Sequence, residues 1–143
     1  MIAFKVLLIV AALDFVHWVG DFVLQTHWQS VNKSKRLDAL AAHVATYTAV
    51  LFLSSMVWFG QGAGVWWFVT VNGALHFATD FLTSRWNARL WFKAFPWDGI
   101  SPAVCYPPQN GTMHNFFVAV GLDQFIHRLT LLVTFAVFIL PTI

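Results

Sequence analysis

The sequence predicts an all-α membrane protein whose four transmembrane helices pack as one bundle. Of its 143 residues, 59% are hydrophobic and only 10% are charged, whereas soluble domains carry about 25% charged residues. The apolar residues form continuous runs rather than an alternating pattern, which favours helices over a β-barrel. At this length, residues 1–143 are expected to form a single transmembrane domain.

Four apolar runs are each close to the roughly 20 residues that a helix needs to cross about 30 Å of hydrocarbon. The predicted spans are residues 2–24, 37–59, 65–84 and 117–140. The first run is interpreted as a retained helix rather than a signal peptide, because Asp14 interrupts it and no small-residue cleavage site follows. Polar side chains within the four spans are expected to face the interior of the bundle.

The three predicted loops differ in composition. Residues 25–36 are polar and basic, residues 60–64 form a Gly-rich turn, and residues 85–113 are long and mixed. Within the third loop, residues 87–95 are rich in Trp, Phe, Arg and Lys, which predicts a short interfacial helix. Six of the eight Lys and Arg residues lie in the first and third loops. The positive-inside rule places these loops in the cytoplasm and both termini outside.

Ionisable side chains inside the apolar runs are the most informative feature of the chain, because charge at membrane depth is costly. Three pairs of one imidazole and one carboxylate, each four residues apart, occur there: His17 with Asp21, His76 with Asp80, and Asp123 with His127. Residues four apart share one helix face, which suits such a pair to hold a metal. The first two pairs repeat the pattern His-x-x-x-Asp-Phe, which suggests a two-fold repeat of helix pairs.

The depth of these residues predicts that they meet. At 1.5 Å per residue, the three pairs and His43 of the second span fall in one layer, in the half of the bilayer next to the basic loops. An unpaired carboxylate near the bilayer centre costs about 2.5–3.5 kcal/mol even on the insertion scale. Protonated carboxyl groups, protonated imidazoles or bound divalent cations would each remove this cost. The common depth of so many ligating groups favours the third solution.

A mixture of imidazole and carboxylate suits Zn²⁺, Mn²⁺ or Fe²⁺ better than Mg²⁺ or Ca²⁺, and Zn²⁺ is the first choice. The predicted ligands are the members of the three pairs: His17, Asp21, His76, Asp80, Asp123 and His127. They would hold one ion with ligands to spare, or two ions that share a bridging Asp. The predicted catalytic residues are His43 and Asp123, either of which would act as a general base.

Four further polar residues of the spans have simpler or open interpretations. Asp14 lies one turn from His17 and would be either a ligand or an outer partner of one. Arg128 would pair with an Asp or extend to the headgroups. Asn72 is expected to make a hydrogen bond between helices. Tyr47, one turn from His43, would either contact the site or make a packing contact.

The motifs also resemble a known family. The chain is similar to the uncharacterised-domain family 3307 in a set of residues that begins with its most specific motif: His17-Trp-Val-Gly-Asp21-Phe-Val-Leu-Gln25, then Trp28, Asn32-Lys33 and His43. Two later elements fit the same family: His76-x-x-x-Asp80 and Asp123-Gln124-x-x-His127. The resemblance spans most of the chain and implies a multi-pass protein of a bacterial inner membrane or of a phage, without an assigned activity. A weaker likeness to membrane-bound metal-dependent hydrolases rests on His and Asp residues carried by short membrane helices.

Three classes of function remain open. The first is a metal-dependent hydrolase that acts near the cytoplasmic leaflet on a lipid or lipid-linked substrate. The second is an oligomeric ion- or proton-conducting protein, since layered Asp and His residues also form relays. The third is a structural or adaptor protein in which the metal is a staple. The lipid bilayer is the expected partner in each class, a homo-oligomer is an option, and the small net charge of +2 argues against nucleic acid.

Overall fold

Long helices make up most of the chain that the computed structural model describes, residues 2–94 and 112–143. The elements are α1 (Ile2–Trp18) with a π-helical continuation (Val19–Val23), α2 (His27–Asn32), α3 (Leu37–Phe59), α4 (Ala63–Ala94), α5 (Thr112–Phe138) and a final 3₁₀ turn (Leu140–Thr142). No strand occurs within these two ranges, so the all-α prediction is confirmed for them.

Among the described residues, three helical segments are long and apolar enough to cross a membrane: Phe4–Val23, Leu37–Phe59 and Met113–Thr142. They correspond to the first, second and fourth predicted spans. The third predicted span, residues 65–84, lies within α4, whose apolar sequence is interrupted by Asn72, His76 and Asp80. All three of these polar side chains are buried, which makes α4 the most polar of the long helices at its buried face.

α4 extends further than its predicted span. The interfacial helix predicted at residues 87–95 is wrong as a separate element, because residues 87–94 continue α4 without a break. Between Gly73 and Pro96 the sequence has neither Gly nor Pro, so no helix-breaking residue ends α4 earlier. The 32 residues of α4 measure about 48 Å at 1.5 Å per residue, which exceeds a hydrocarbon thickness of about 30 Å. Residues 95–111, which form the middle of the predicted third loop, lie outside the described residues.

The short helix α2 lies within the segment predicted as the first loop. It begins with a capping box: Thr26 Oγ1 accepts a hydrogen bond from the Gln29 backbone N–H at 3.2 Å, and Gln29 Oε1 accepts one from the Thr26 N–H at 2.8 Å. Gln29 is buried, and its Nε2 donates to Thr46 Oγ1 on α3 at 3.3 Å. This contact holds α2 and the turn that follows it against the helix bundle.

Glycine lets neighbouring helices approach closely, as is common where membrane helices pack. A Cβ atom on Gly73 of α4 would lie 2.7 Å from Thr48 Oγ1 of α3. A Cβ atom on Gly20, in the π-helical turn, would lie 3.2 Å from the Tyr47 ring of α3. Larger residues at these two positions would push α1 and α4 away from α3 next to the buried polar side chains.

The interior of the packed helices has an apolar half and a polar half. Apolar side chains fill the half next to the turn between α3 and α4: Leu13, Val16, Tyr47, Leu51, Val65, Phe68, Val69, Leu131, Phe135 and Ile139. That turn is the predicted Gly-rich segment at residues 60–64, and Gly60 there has a φ of 75°. The half next to α2 contains most of the buried polar side chains. Many large apolar side chains face outward, as expected for helices surrounded by lipid.

The predicted two-fold repeat of helix pairs is not established by the local structure. His76 and Asp80 lie on a regular stretch of α4, whereas Asp21 lies in the π-helical turn after α1. α1 is followed by the short α2, while α4 continues well past its motif. The shared pattern therefore marks similar chemistry on two helices that differ in local geometry.

Candidate metal centre

Seven ionisable side chains from four helical segments meet in the polar half of the interior: His17, Asp21, His43, His76, Asp80, Asp123 and His127. Six of these side chains are at most 3% exposed, and Asp123 is 13% exposed. All four imidazole rings direct Nε2 toward carboxylate oxygens. The result is a buried centre rich in atoms that ligate metals.

The π-helical turn positions Asp21. The Leu24 N–H donates to the Val19 carbonyl oxygen at 3.0 Å, which is the i to i+5 pattern of a π-helix. Such turns occur mostly as single bulges in helices and are frequent at functional sites. The Asp21 carboxylate is buried and faces α3, where its Oδ1 lies 3.0 Å from His43 Nε2.

The first group of candidate ligands consists of Asp21, His43, His76 and Asp80, whose ligand atoms all lie within 4.8 Å of one another. His43 Nε2 lies 3.0 Å from Asp21 Oδ1 and 3.1 Å from Asp80 Oδ2. His76 Nε2 lies 3.5 Å from Asp21 Oδ1 and 3.4 Å from His43 Nε2. Nitrogen and oxygen ligands of a tetrahedral ion are roughly 3.3–3.6 Å apart, so these four side chains could hold one ion.

The second group consists of Asp80, Asp123 and His127, and it shares Asp80 with the first. His127 Nε2 lies 3.3 Å from Asp80 Oδ1 and 3.4 Å from Asp123 Oδ1. The two oxygens of Asp80 therefore point to different groups, Oδ2 to His43 and Oδ1 to His127. A carboxylate in this orientation can bridge two ions. Three protein ligands in the second group would leave a coordination position for water or substrate.

His17 is the predicted ligand that neither group includes. Its Nε2 lies 3.8 Å from Asp21 Oδ2, and neither of its ring nitrogens has a hydrogen-bond partner within the described part of the chain. Its ring centroid lies 5.6 Å from that of His127 and 6.1 Å from that of His76. The structure thus brings His43, predicted as a catalytic base, among the candidate ligands and leaves His17 beside them.

Lys33 joins the cluster although its position in the sequence predicts only a loop charge. Its Nζ donates to Asp80 Oδ2 at 3.0 Å and lies 3.3 Å from His43 Nε2, and its side chain is 17% exposed. The signal that could have found it is the Thr-x-x-Gln pattern that begins at Thr26, which is typical of a helix start. A helix in this loop would allow the chain to return to the bundle.

Contacts around the ligands hold the imidazole of His76 in place. The Tyr47 ring stacks on the His76 ring, with 3.9 Å between centroids and 11° between planes. Tyr47 OH donates to Asn72 Oδ1 at 2.8 Å, and Asn72 Nδ2 donates to Thr134 Oγ1 at 2.9 Å. Asn72 therefore makes hydrogen bonds between helices, as predicted. The Nδ1 atoms of the four clustered histidines are buried without a hydrogen-bond partner among the described residues, so ring packing orients these imidazoles.

Two polar contacts join α1 and its π-helical turn to α5 beside the ligands. Gln124 Nε2 donates to Asp21 Oδ2 at 3.3 Å and to Asp123 Oδ2 at 3.2 Å. Arg128 Nε lies 3.6 Å from Asp14 Oδ1, and the Arg128 side chain is 60% exposed. Of the two options predicted for Arg128, the structure shows pairing with an Asp. Asp14 belongs to neither ligand group. A cation from the protein therefore already accompanies Asp14.

A cavity of about 370 Å³ opens onto the cluster. It lies between the turn after α2, the C-terminal half of α4 and the start of α5, and Asp80, Asp123 and Lys33 are among its lining residues. Both carboxylates belong to the second ligand group. A metal held by that group would therefore face the cavity.

No family model, curated protein or solved structure matches this chain. The interpretation of the cluster rests on its own chemistry. Asp21, Asp80 and Asp123 bring three carboxylates together, and Lys33 brings one ammonium group. With neutral imidazoles this leaves an excess of negative charge in a buried site, which is costly unless it is compensated. The buried His and Asp groups could bind a metal ion.

Proposed function

We propose that this chain is a metal-dependent hydrolase of a bacterial inner membrane, with two divalent cations bridged by Asp80. The observation that carries the proposal is the orientation of this carboxylate. Its Oδ2 lies 3.1 Å from His43 Nε2 and its Oδ1 lies 3.3 Å from His127 Nε2. In two-metal hydrolytic sites the ions lie about 3.5–4 Å apart, a separation that one carboxylate spans with one oxygen on each ion.

Hydrogen bonding alone accounts poorly for the first ligand group. Four polar atoms lie within 3.4 Å of His43 Nε2: Asp21 Oδ1, Asp80 Oδ2, Lys33 Nζ and His76 Nε2. A ring nitrogen carries either one proton or one lone pair, so it can make a linear hydrogen bond with only one of them. A metal ion among these atoms would attract both carboxylate oxygens and the lone pairs of both imidazoles at once, and it would displace the Lys33 ammonium from its place 3.0 Å from Asp80 Oδ2.

The proposed ligands differ in number between the two ions. Asp21, His43, His76 and Asp80 would enclose the first ion, while the second ion would share Asp80 and keep a position open to the cavity. Closed four-ligand sites are typical of structural zinc, and three-ligand sites of catalytic zinc. Zn²⁺ is therefore the ion proposed first, with Mn²⁺ or Fe²⁺ as alternatives.

The proposed reaction is hydrolysis of an ester in a lipid or lipid-linked substrate at the cytoplasmic leaflet. A metal bound by the second group would supply an activated water and polarise a phosphoryl or carbonyl oxygen. Asp123 lines the cavity and is 13% exposed, so its carboxylate can accept a proton from the attacking water. His43 is fully buried within the first group, so we propose a ligand role for it in place of the predicted general base.

The proposed membrane arrangement has four spans, with α4 as the third. The polar residues of α4 that interrupt its apolar sequence, Asn72, His76 and Asp80, are buried, while Leu75 and Leu82 are exposed where lipid would contact the helix. The basic residues of the first loop and of the C-terminal part of α4 would lie in the cytoplasm, with both termini outside. Membership of the uncharacterised-domain family 3307 and association into a homo-oligomer are parts of this proposal that rest on sequence alone.

A structural role for the metal is the second candidate. Its supporting observation is that the candidate ligands come from the π-helical turn, α3, α4 and α5, so a bound ion would cross-link most of the bundle. Conduction has less support, because the other half of the interior is packed with apolar side chains and the described polar chain ends at Thr134. A test of hydrolysis therefore distinguishes the proposed hydrolase from a structural role of the metal.

The hydrolase proposal predicts that purified protein cleaves a lipid ester only while metal is bound. Protein purified in detergent without chelators is assayed on vesicles of phosphatidic acid, phosphodiester lipids and carboxylic ester lipids, with release of phosphate, headgroup and fatty acid as readouts. Activity should disappear on chelation, return with Zn²⁺ or Mn²⁺, and fall by about 100-fold or more in Asp123→Asn, because Asp123 would serve both as a ligand of the second ion and as the general base.

Asp38→Asn is the matched control for this assay, since Asp38 is 57% exposed and pairs with Arg36. It should keep wild-type activity. Hydrolysis that survives complete removal of metal would refute the proposed chemistry. Metal-loaded protein that cleaves no lipid in the panel would refute the hydrolase and favour the structural role of the metal.

A further inference from the structure

The cavity that opens onto the buried His and Asp cluster contains a second set of charged and polar groups. Lys33 and Lys35 line it from the turn after α2, opposite Ser84 and Asn87 of α4. Ammonium, hydroxyl and amide groups of this kind bind phosphate oxygens in proteins. Asp80 and Asp123 lie at the inner end, where the Lys33 ammonium, 3.0 Å from Asp80 Oδ2, offsets part of their negative charge.

The cavity wall formed by α4 and α5 is aromatic. Trp91 and Phe92 come from the C-terminal part of α4, and Phe116 comes from the start of α5, with 5.2 Å between the ring centroids of Trp91 and Phe116. Lys35 Nζ lies 5.5 Å from the Phe92 ring centroid, so a cation and the aromatic wall meet at the same opening. Trp91 and Phe92 are 44% and 53% exposed. The apolar wall therefore continues from the cavity to the outer surface of the helices.

We propose that this cavity binds the phosphate group of a lipid phosphate monoester whose hydrocarbon chain leaves along Trp91, Phe92 and Phe116. Lys35 would bind phosphate oxygens at the cavity mouth, while Lys33 stays paired with Asp80 deeper in the cavity. Ligand cavities are commonly about 300–1,000 Å³, and the volume of about 370 Å³ suits a headgroup better than a whole lipid. An apolar chain that follows the exposed aromatic wall would remain in the bilayer.

This inference names the substrate class of the proposed hydrolase, and it rests on that proposal for the reaction but not for binding. In the reaction, the oxygen of water bonds to phosphorus, and the bond between phosphorus and the lipid oxygen breaks. The lipid oxygen takes a proton and leaves as an alcohol. Inorganic phosphate is the second product, so all atoms of the ester and of water are accounted for.

Calorimetry on the full-length protein in detergent tests the inference with four soluble probes: dioctanoyl phosphatidic acid, dioctanoyl phosphatidylcholine, dioctanoylglycerol and inorganic phosphate. Phosphatidic acid should bind more tightly than each of the other three. Lys35→Gln should weaken its binding by about tenfold, the effect of one hydrogen bond to a charged group. Lys5→Gln is the matched control, because Lys5 is exposed near the start of α1 and is not one of the described residues that line the cavity.

The outcomes of this experiment separate the inference from the proposed hydrolase. Equal binding of dioctanoylglycerol would overturn recognition of the phosphate, and equal binding of inorganic phosphate would overturn recognition of the lipid chain. Unchanged affinity in Lys35→Gln would overturn the assigned cavity. Metal is measured on the same samples. Selective, Lys35-dependent binding by protein that contains no metal would support the inference and refute the hydrolase, whereas active metal-loaded protein without selectivity would refute the inference alone.

Discussion

Asp80→Asn is expected to release both proposed metal ions from the purified protein. Asparagine preserves the size of the side chain but removes the negative charge, and its amide offers one oxygen where the carboxylate offers two. Loss of an outer partner of a metal ligand already lowers metal affinity by about 10–100-fold, so loss of a shared ligand should lower it by more than about 100-fold. The readout is metal per chain, by mass spectrometry of elements in monodisperse protein.

Two further variants serve as comparisons for the metal content of Asp80→Asn. Asp38→Asn should retain the wild-type metal content, since Asp38 pairs with Arg36 and belongs to neither ligand group. His127→Ala should lose only the second ion, because His127 belongs to the second group alone. If Asp80→Asn retained two ions, the bridging role would be wrong, and if the wild type held one ion, the two groups would not be separate sites.

Lys33→Met is expected to destabilise the metal-free protein far more than the metal-bound protein. In the structure, the Lys33 ammonium lies 3.0 Å from the buried Asp80 carboxylate. Removing one partner of a buried ion pair costs about 3–5 kcal/mol, and this loss should appear in full when no metal is present. When metal balances Asp80, the loss should fall to the 0–1 kcal/mol or so that is typical of an exposed pair. Unfolding in detergent with and without chelator measures both values.

Lys5→Met serves as the control for this comparison, since Lys5 is an exposed lysine on α1. It should leave both unfolding free energies close to the wild-type values. A large loss of stability in Lys33→Met that is the same with and without chelator would mean that Lys33, and not a metal ion, balances the cluster. The buried polar groups would then have a structural role.

The residues that meet in the interior could be predicted from the sequence because their signals are local. A helix places residues four apart on one face, so His76 and Asp80 were expected to act together, as were Asp123 and His127. The rise of 1.5 Å per residue then placed His43 at the same depth on another helix. The structure brings these residues within a few ångströms of one another.

The rest of the cluster depends on tertiary contacts that helical periodicity does not encode. Lys33 reaches Asp80 because α2 folds back, and that return depends on the contact between Gln29 and Thr46, 17 residues apart. The π-helical turn after α1 was also not predicted, since no residue pattern marks it clearly. The pairing of Arg128 with an Asp was one of two options, because the choice depends on which faces of α1 and α5 meet.

Binding of two divalent cations by the buried cluster is the main proposal. Its most direct test is the metal-to-protein ratio of the wild-type chain, purified in detergent without chelators and with protein concentration fixed by amino-acid analysis. We predict two ions of zinc, manganese or iron per chain, both absent from Asp80→Asn. A ratio near zero in folded, monodisperse wild-type protein, unchanged after dialysis against Zn²⁺, would contradict the existence of a metal centre.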